Sequence, residues 1–256
     1  MKRAYPISRM QPLRLLLRLL VPACCGLLVS CIDGREEFWL AGDGSGRAEI
    51  RYAVPATLAR GCGGEKGLSK LLDEFIRETP TLTNATRRVT CEGDHMVVDF
   101  RASFKSALDL IHAVSGDTAL ASGNLKPVVA PLIGHFDFQR SGLTVNLTRT
   151  VRPAKALPGS FLMPASQFDG RRLVYIVHLP MVAQESNATR TEDGGRTLIW
   201  DQTLQNGLKN NVILHFKGTV PIPWWLIAAA VLVLGGLGFA VVRRRRIQAA
   251  YCSGAL

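Results

Sequence analysis

The segment that most restricts this chain is residues 224–242, a run of 19 positions without a charge. At about 1.5 Å per helical residue it extends roughly 28 Å, close to the thickness of a bilayer's hydrocarbon core. It has no polar face, which argues against a half-buried helix of a globular core. Trp224 and Trp225 open it, and indoles favour the membrane interface. Arg243, Arg244, Arg245 and Arg246 close it, and such a cluster resists translocation and stays cytoplasmic. Pro221 and Pro223 mark its start, since the residue before a proline avoids the helical region. The sequence therefore predicts a transmembrane helix over 221–242 and a basic cytoplasmic tail over 243–256.

The other end reads as an export signal. Residues 1–30 carry Lys2, Arg3, Arg9, Arg14 and Arg18 and no acid, followed by a leucine-rich stretch interrupted at Arg18 and Pro22. That pattern fits a signal peptide better than a spanning helix. It runs into Leu28-Val29-Ser30-Cys31, which resembles the bacterial lipobox. The resemblance implies a diacylglycerol on the Cys31 thiol, cleavage before Cys31 and acylation of the new amino terminus. Ordinary cleavage nearby, leaving Cys31 a plain thiol, is the alternative.

These ends explain the charge. The chain has 31 Lys+Arg against 20 Asp+Glu, a net +11. The five bases before residue 31 and the four arginines at 243–246 account for +9 of it, so the middle is almost neutral. The excess is membrane-topology information, and no nucleic-acid partner is expected. The domain over 31–220 is expected outside the cytoplasm, on the periplasmic side of a bacterial membrane. Cys62 and Cys91 are then the exported cysteines besides Cys31, and one disulfide between them is the simplest use of an oxidising compartment. Two free buried thiols are the alternative. With two anchors on one bilayer, both ends of the domain are expected on the same side.

Within that domain apolar residues recur at period two, around 48–54, 96–104, 136–138, 143–147, 173–179 and 212–216. This predicts strands with one apolar face. Turn signals separate them, among them Gly42-Asp43-Gly44-Ser45-Gly46, Ser141-Gly142 and Glu192-Asp193-Gly194-Gly195. Leu68, Leu71, Leu72, Phe75 and Ile76 instead form a helical stripe that stops at Thr79-Pro80. A shorter helix is expected from Ser106, with Asp109 completing a capping pattern. The fold class expected is α+β: a mainly antiparallel, continuous sheet system with one or two packed helices, plus the transmembrane helix.

His178-Leu179-Pro180-Met181-Val182, Ser186-Asn187-Ala188, Glu192-Asp193-Gly194 and Ile199-Trp200 together resemble the LppM-type bacterial lipoprotein domain. So does the layout of lipidated start, early hairpin and carboxy-terminal helix followed by arginines. The resemblance implies an α/β lipoprotein domain without catalysis, and lipid or glycolipid binding for some relatives.

The residues themselves name no reaction. His95, His112, His135, His178 and His215 show no metal-ligand spacing, and no Gly-x-Ser-x-Gly elbow occurs. Glu36-Glu37 and Asp73-Glu74 read as solvated pairs, and Arg87-Arg88 and Arg171-Arg172 as exposed charge that could meet lipid headgroups. Asn84, Asn146 and Asn187 begin chance Asn-x-Thr triplets. No catalytic residue, metal or cofactor is expected beyond the lipid on Cys31. The function expected is a non-enzymatic, membrane-anchored domain binding an envelope lipid, glycolipid or protein. A lipid-binding version requires an apolar cavity. The rival is an envelope hydrolase or metal-dependent enzyme, which requires at least three histidines and acids to converge.

Overall fold

A computed structural model describes residues 33–61, 63–115, 131–156, 168–220 and 232. The chain divides into units 1–219 and 220–256. Cys31, Cys62, Trp224, Trp225 and the arginines at 243–246 lie outside the described residues, as do the expected signal and all of the expected membrane span but Leu232. Among the described residues no helix is long and apolar enough to cross a membrane.

The first unit is α+β and mostly sheet. Strands β1 (Asp33–Leu40) and β2 (Gly46–Pro55) form a hairpin, followed by helices α1 (Ala56–Gly61) and α2 (Gly64–Glu78). Strands β3 (Leu82–Glu92) and β4 (His95–Phe104) form another, followed by α3 (Ala107–Ser115). Strands β5 (His135–Ser141) and β6 (Thr144–Val151) lead into α4 (Pro153–Ala156). The chain continues through β7 (Arg172–His178), β8 (Ala183–Ser186), β9 (Arg190–Glu192), β10 (Thr197–Thr203), α5 (Leu204–Lys209) and β11 (Val212–Thr219).

The strands make two sheets rather than the continuous system expected. The first has seven strands in the order β3-β4-β2-β1-β7-β10-β9, and the second has four in the order β5-β6-β11-β8. The pairing β1–β7 is parallel, so the strand at the centre of the large sheet meets a partner more than 130 residues away. No local turn can specify such a contact.

One face of the large sheet is covered. Over β3, β4 and β2 lies α2, whose stripe supplies Leu68 and Leu72 against Val89, Met96 and Val98. Its Phe75 meets Phe100 edge-on, with ring centres 5.8 Å apart. The Arg87 guanidinium clamps Asp73 of the same helix with bonds of 2.6 and 2.5 Å, which takes Arg87 away from the free headgroup contact considered above. The short helix α3 starts as expected, with the Ser106 hydroxyl accepting from the Asp109 amide at 3.1 Å. Over β1, β7 and β10 lies the second sheet. Between the two sheets Leu173, Tyr175, Leu198 and Trp200 pack against Val151, Leu204, Val212, Leu214 and Phe216.

At the centre of this layer sits an ion pair. Glu36 of β1 is 3% exposed and Arg149 of β6 is 7% exposed. The guanidinium meets both carboxylate oxygens, at 2.6 and 3.1 Å. It also donates to the Ile133 and Leu132 carbonyls at 2.9 and 3.1 Å. The Tyr52 hydroxyl donates to Glu36 Oε1 at 2.6 Å. The rings of Phe136 and Tyr175 lie 5.2 and 5.4 Å from the guanidinium carbon. Burial works against the charge on Arg149, but the Glu36 carboxylate more than offsets it and raises the guanidinium's affinity for its proton. Burial, reinforced by the same carboxylate, pushes the phenols of Tyr52 and Tyr175 up. Gly34 makes room for this arrangement, since a Cβ there would collide with the Tyr52 ring. Glu36 is thus no solvated residue: it joins the two sheets.

One further expectation changes. Asp33 lies beside Arg172 at the start of β7, bonded through the Arg172 amide at 3.0 Å. By contrast, Gly218 near the end of β11 lies against Met181, beyond the other end of β7. The described unit therefore begins and ends at opposite ends of its strands, not on one side. Cys91, at the end of β3, is an exposed free thiol. Its sulfur lies 3.6 Å from the Gly93 carbonyl of the neighbouring turn. Its expected partner Cys62 lies outside the described residues. Cys91 does share its strand face with Val89, which packs on Ala59 of α1.

Removing one buried charge strands the other. Arg149→Met is expected to cost about 3–5 kcal/mol in denaturant unfolding, whereas Arg101→Met on the surface should cost less than about 1 kcal/mol.

Candidate functional site

The other face of the large sheet is built by the alternate residues of the same strands. In β1, Gly34, Glu36 and Phe38 turn inward, so Arg35, Glu37 and Trp39 turn outward. Register then aligns four strands: Arg47 of β2 opposite Trp39, Trp39 opposite His178 of β7, and His178 opposite Thr197 of β10. These side chains form a ladder. The Arg47 guanidinium lies 4.1 Å from the Trp39 ring centre. The His178 ring stacks on Trp39 at 5.0 Å, with 8° between planes.

His178 is held at both nitrogens. Its Nε2 lies 2.9 Å from Glu37 Oε1, and its Nδ1 lies 3.0 Å from the Thr197 hydroxyl oxygen. Thr197 in turn donates to Asp193 Oδ2 at 2.5 Å. Arg35 pairs with Glu37 at 2.7 Å. Partial burial opposes the charge on Glu37, but the bonds from His178 and Arg35 prevail and hold its carboxyl below the ordinary 4.5. Around the ladder, charges alternate in sign, with Arg51–Asp99 at 3.2 Å and Arg101–Glu49 at 3.7 Å. An open groove of about 420 Å³ adjoins the ladder, lined by Trp39, Leu40, Ser45, Arg47, Ser103 and Phe104 among others.

Histidine, hydroxyl and carboxylates meet here, yet Thr197 is only 3% exposed. A nucleophile so covered cannot reach a substrate, so the bonds position Trp39 and His178. No metal-holding group of three or more His, Cys, Asp or Glu is present among the described residues. His95 lies 3.4 Å from the Arg171 guanidinium, and His215 3.0 Å from the Thr148 hydroxyl, both far in sequence from His178. Arg172 is paired with Asp201 at 2.6 Å.

The residues that carry the family resemblance come together structurally. Asn187 Oδ1 accepts from the Trp200 indole and from the His215 amide, both at 2.8 Å. Its Nδ2 donates to the Ile213 carbonyl at 2.9 Å. One side chain thus ties the core tryptophan of the large sheet to β11, which gives the Asn–Trp spacing a packing role. Sequence reasoning missed Glu36, Glu37, Trp39 and Arg149. The signal available was parity: Glu36 shares its strand face with Phe38, and Arg149 shares one with Leu147 and Val151.

No protein-family model matches the sequence, and no curated protein matches it. Two solved structures are similar. One is the folded domain of the LppM protein of Mycobacterium tuberculosis, determined by NMR. It is 14% identical, covers 76% of this chain and 93% of that one, and has a TM-score of 0.45. Another is the Mu homology domain of Fcho1 from Danio rerio with a bound Eps15 peptide, 14% identical over 78% and 82%, with a TM-score of 0.24. Neither TM-score reaches one half, so neither likeness assigns a function.

The depressed Glu37 carboxyl predicts a sign for acid stability. Its contribution is complete above about pH 4.5 and is lost as pH falls through its lower folded value. Glu37→Gln should cost roughly 1–2 kcal/mol at neutral pH, and the gap to wild type should narrow as pH falls below about 4.5 when unfolding is followed against pH.

Proposed function

We propose that this chain is a bacterial membrane-anchored lipoprotein whose α+β domain works outside the cytoplasm as a non-enzymatic binding module for an envelope lipid, glycolipid or protein. The observation that carries this reading is the bracketing of one folded unit by two membrane signals. Leu28-Val29-Ser30-Cys31 precedes β1 immediately, and the uncharged residues 224–242 follow β11 almost as closely. The arginines at 243–246 put the carboxy terminus in the cytoplasm and hence the domain on the other side.

Within the domain, the ion pair and its aromatic shell occupy the middle of the layer between the sheets. A lipid tail lodged there would have to displace a buried charge, which is costly. Recognition is therefore assigned to the surface, where the Trp39 ladder and its groove combine an aromatic ring, a guanidinium and paired carboxylates. Lipid headgroups, glycans and protein side chains all offer complementary groups.

Mass spectrometry of the mature amino-terminal peptide tests the anchor. The expected peptide begins at Cys31 and carries a diacylglycerol with a further acyl chain, and Cys31→Ser should abolish that mass. An unmodified Cys31, or cleavage elsewhere in wild type, overturns the lipoprotein reading.

A further inference from the structure

We propose that β3, an edge strand of the seven-stranded sheet, pairs antiparallel with β3 of a second copy of this chain, about a two-fold axis at Thr90. The pairing needs no particular placement of either anchor, so it stands or falls apart from the lipoprotein reading above.

The hydrogen-bonding pattern of β3 defines which of its groups are free. Gly93 and Asp94 make a two-residue hairpin turn, with Gly93 at a φ of 65°, the glycine-first geometry of tight hairpins. Glu92 therefore exchanges both backbone bonds with His95. The alternation of an antiparallel ladder gives the same role to Thr90 opposite Val97 and to Arg88 opposite Asp99. The N–H and C=O groups of Arg87, Val89 and Cys91 point the other way, off the sheet, and no bond to them is present among the described residues.

Proteins commonly blunt such edges by shortening them or bending them away. Strands β8 and β9, at other edges, have four and three residues. Strand β3 has eleven. A bulge bends its first half, where Asn84 has a φ of 51°, but residues 87–92 run in regular register.

The sequence of that stretch selects its occupant. A two-fold axis at Thr90 sets Val89 against Cys91 of the second copy, and Arg88 against Glu92 of the second copy. Val89 and Cys91 then exchange backbone bonds on both sides of the axis. Residues directly opposite share a face, so each exposed Arg88 meets an exposed Glu92, whose contact within its own chain is a 3.8 Å pairing with Arg51. Opposite charges placed this way favour the pair, whereas like charges would oppose it. Arg87 adds no repulsion, because Asp73 already holds it. The seven-residue edge strand β5 lacks this self-complementarity. Its Asp137 and Arg140 lie on opposite faces, so no two-fold pairing sets one against the other.

The test is oxidative cross-linking of the full chain in detergent, with Cys62, Cys91 and Cys252 changed to serine and that chain setting the background. Thr90→Cys brings two thiols together across the axis, with Cα atoms about 4.5 Å apart, within reach of a disulfide. Arg88→Cys leaves its two thiols four residues apart along the strands, about 13 Å, which is out of reach. The expected result is at least fivefold more disulfide-linked dimer from Thr90→Cys than from Arg88→Cys, with Arg88→Cys plus Glu92→Cys restoring the yield. Dimer from Arg88→Cys equal to that from Thr90→Cys overturns the register. Background levels from both Thr90→Cys and the Arg88→Cys plus Glu92→Cys chain overturn the pairing itself.

Discussion

Two opposite charges, Glu36 in the central strand of one sheet and Arg149 in the facing sheet, are held where water does not reach them, and much else follows from that. An isolated guanidinium at such a site would be prohibitively expensive. Here two carboxylate oxygens and two backbone carbonyls satisfy it, and aromatic rings surround it. The pair fixes which strand faces which, because any slip of β6 against β1 would leave both charges unmatched. Apolar contacts supply the bulk of the packing, but they do not discriminate between registers as sharply as a bidentate pair does.

Under the proposed function, filling the interlayer this way leaves recognition to the surface. The same alternation that sends Glu36 inward sends Glu37 and Trp39 outward, and cross-strand register lines them up with Arg47 and His178. One strand thus provides both the joint of the fold and the centre of its candidate site.

Much of this was legible in the residues. The alternating segments became strands, the stripe from Leu68 to Ile76 became α2, and Ser106 capped α3. These features depend on neighbours in sequence, which a pattern can register. The parallel contact of β1 with β7 and the split into two sheets depend on distant pairings and were not. Glu36 was read as solvated because a charge in a strand is usually outward, and only its shared parity with Phe38 argued otherwise. Asn187, taken as a chance triplet, proved to bond Trp200 and β11, a role visible only once three elements meet. The expectation of both ends on one side failed because β11 runs in the same direction as β1 rather than returning beside its start.

The burial of the joint can be read directly from the Arg149 side chain, whose Nε hydrogen donates to the Ile133 carbonyl within the domain. In hydrogen–deuterium exchange followed by NMR, that Nε–H should survive far longer than the Nε–H of exposed Arg101. Its exchange should track global unfolding as denaturant is added. Exchange as fast as that of a surface arginine would mean that water reaches the pair, and the account of how the two sheets are joined would be wrong.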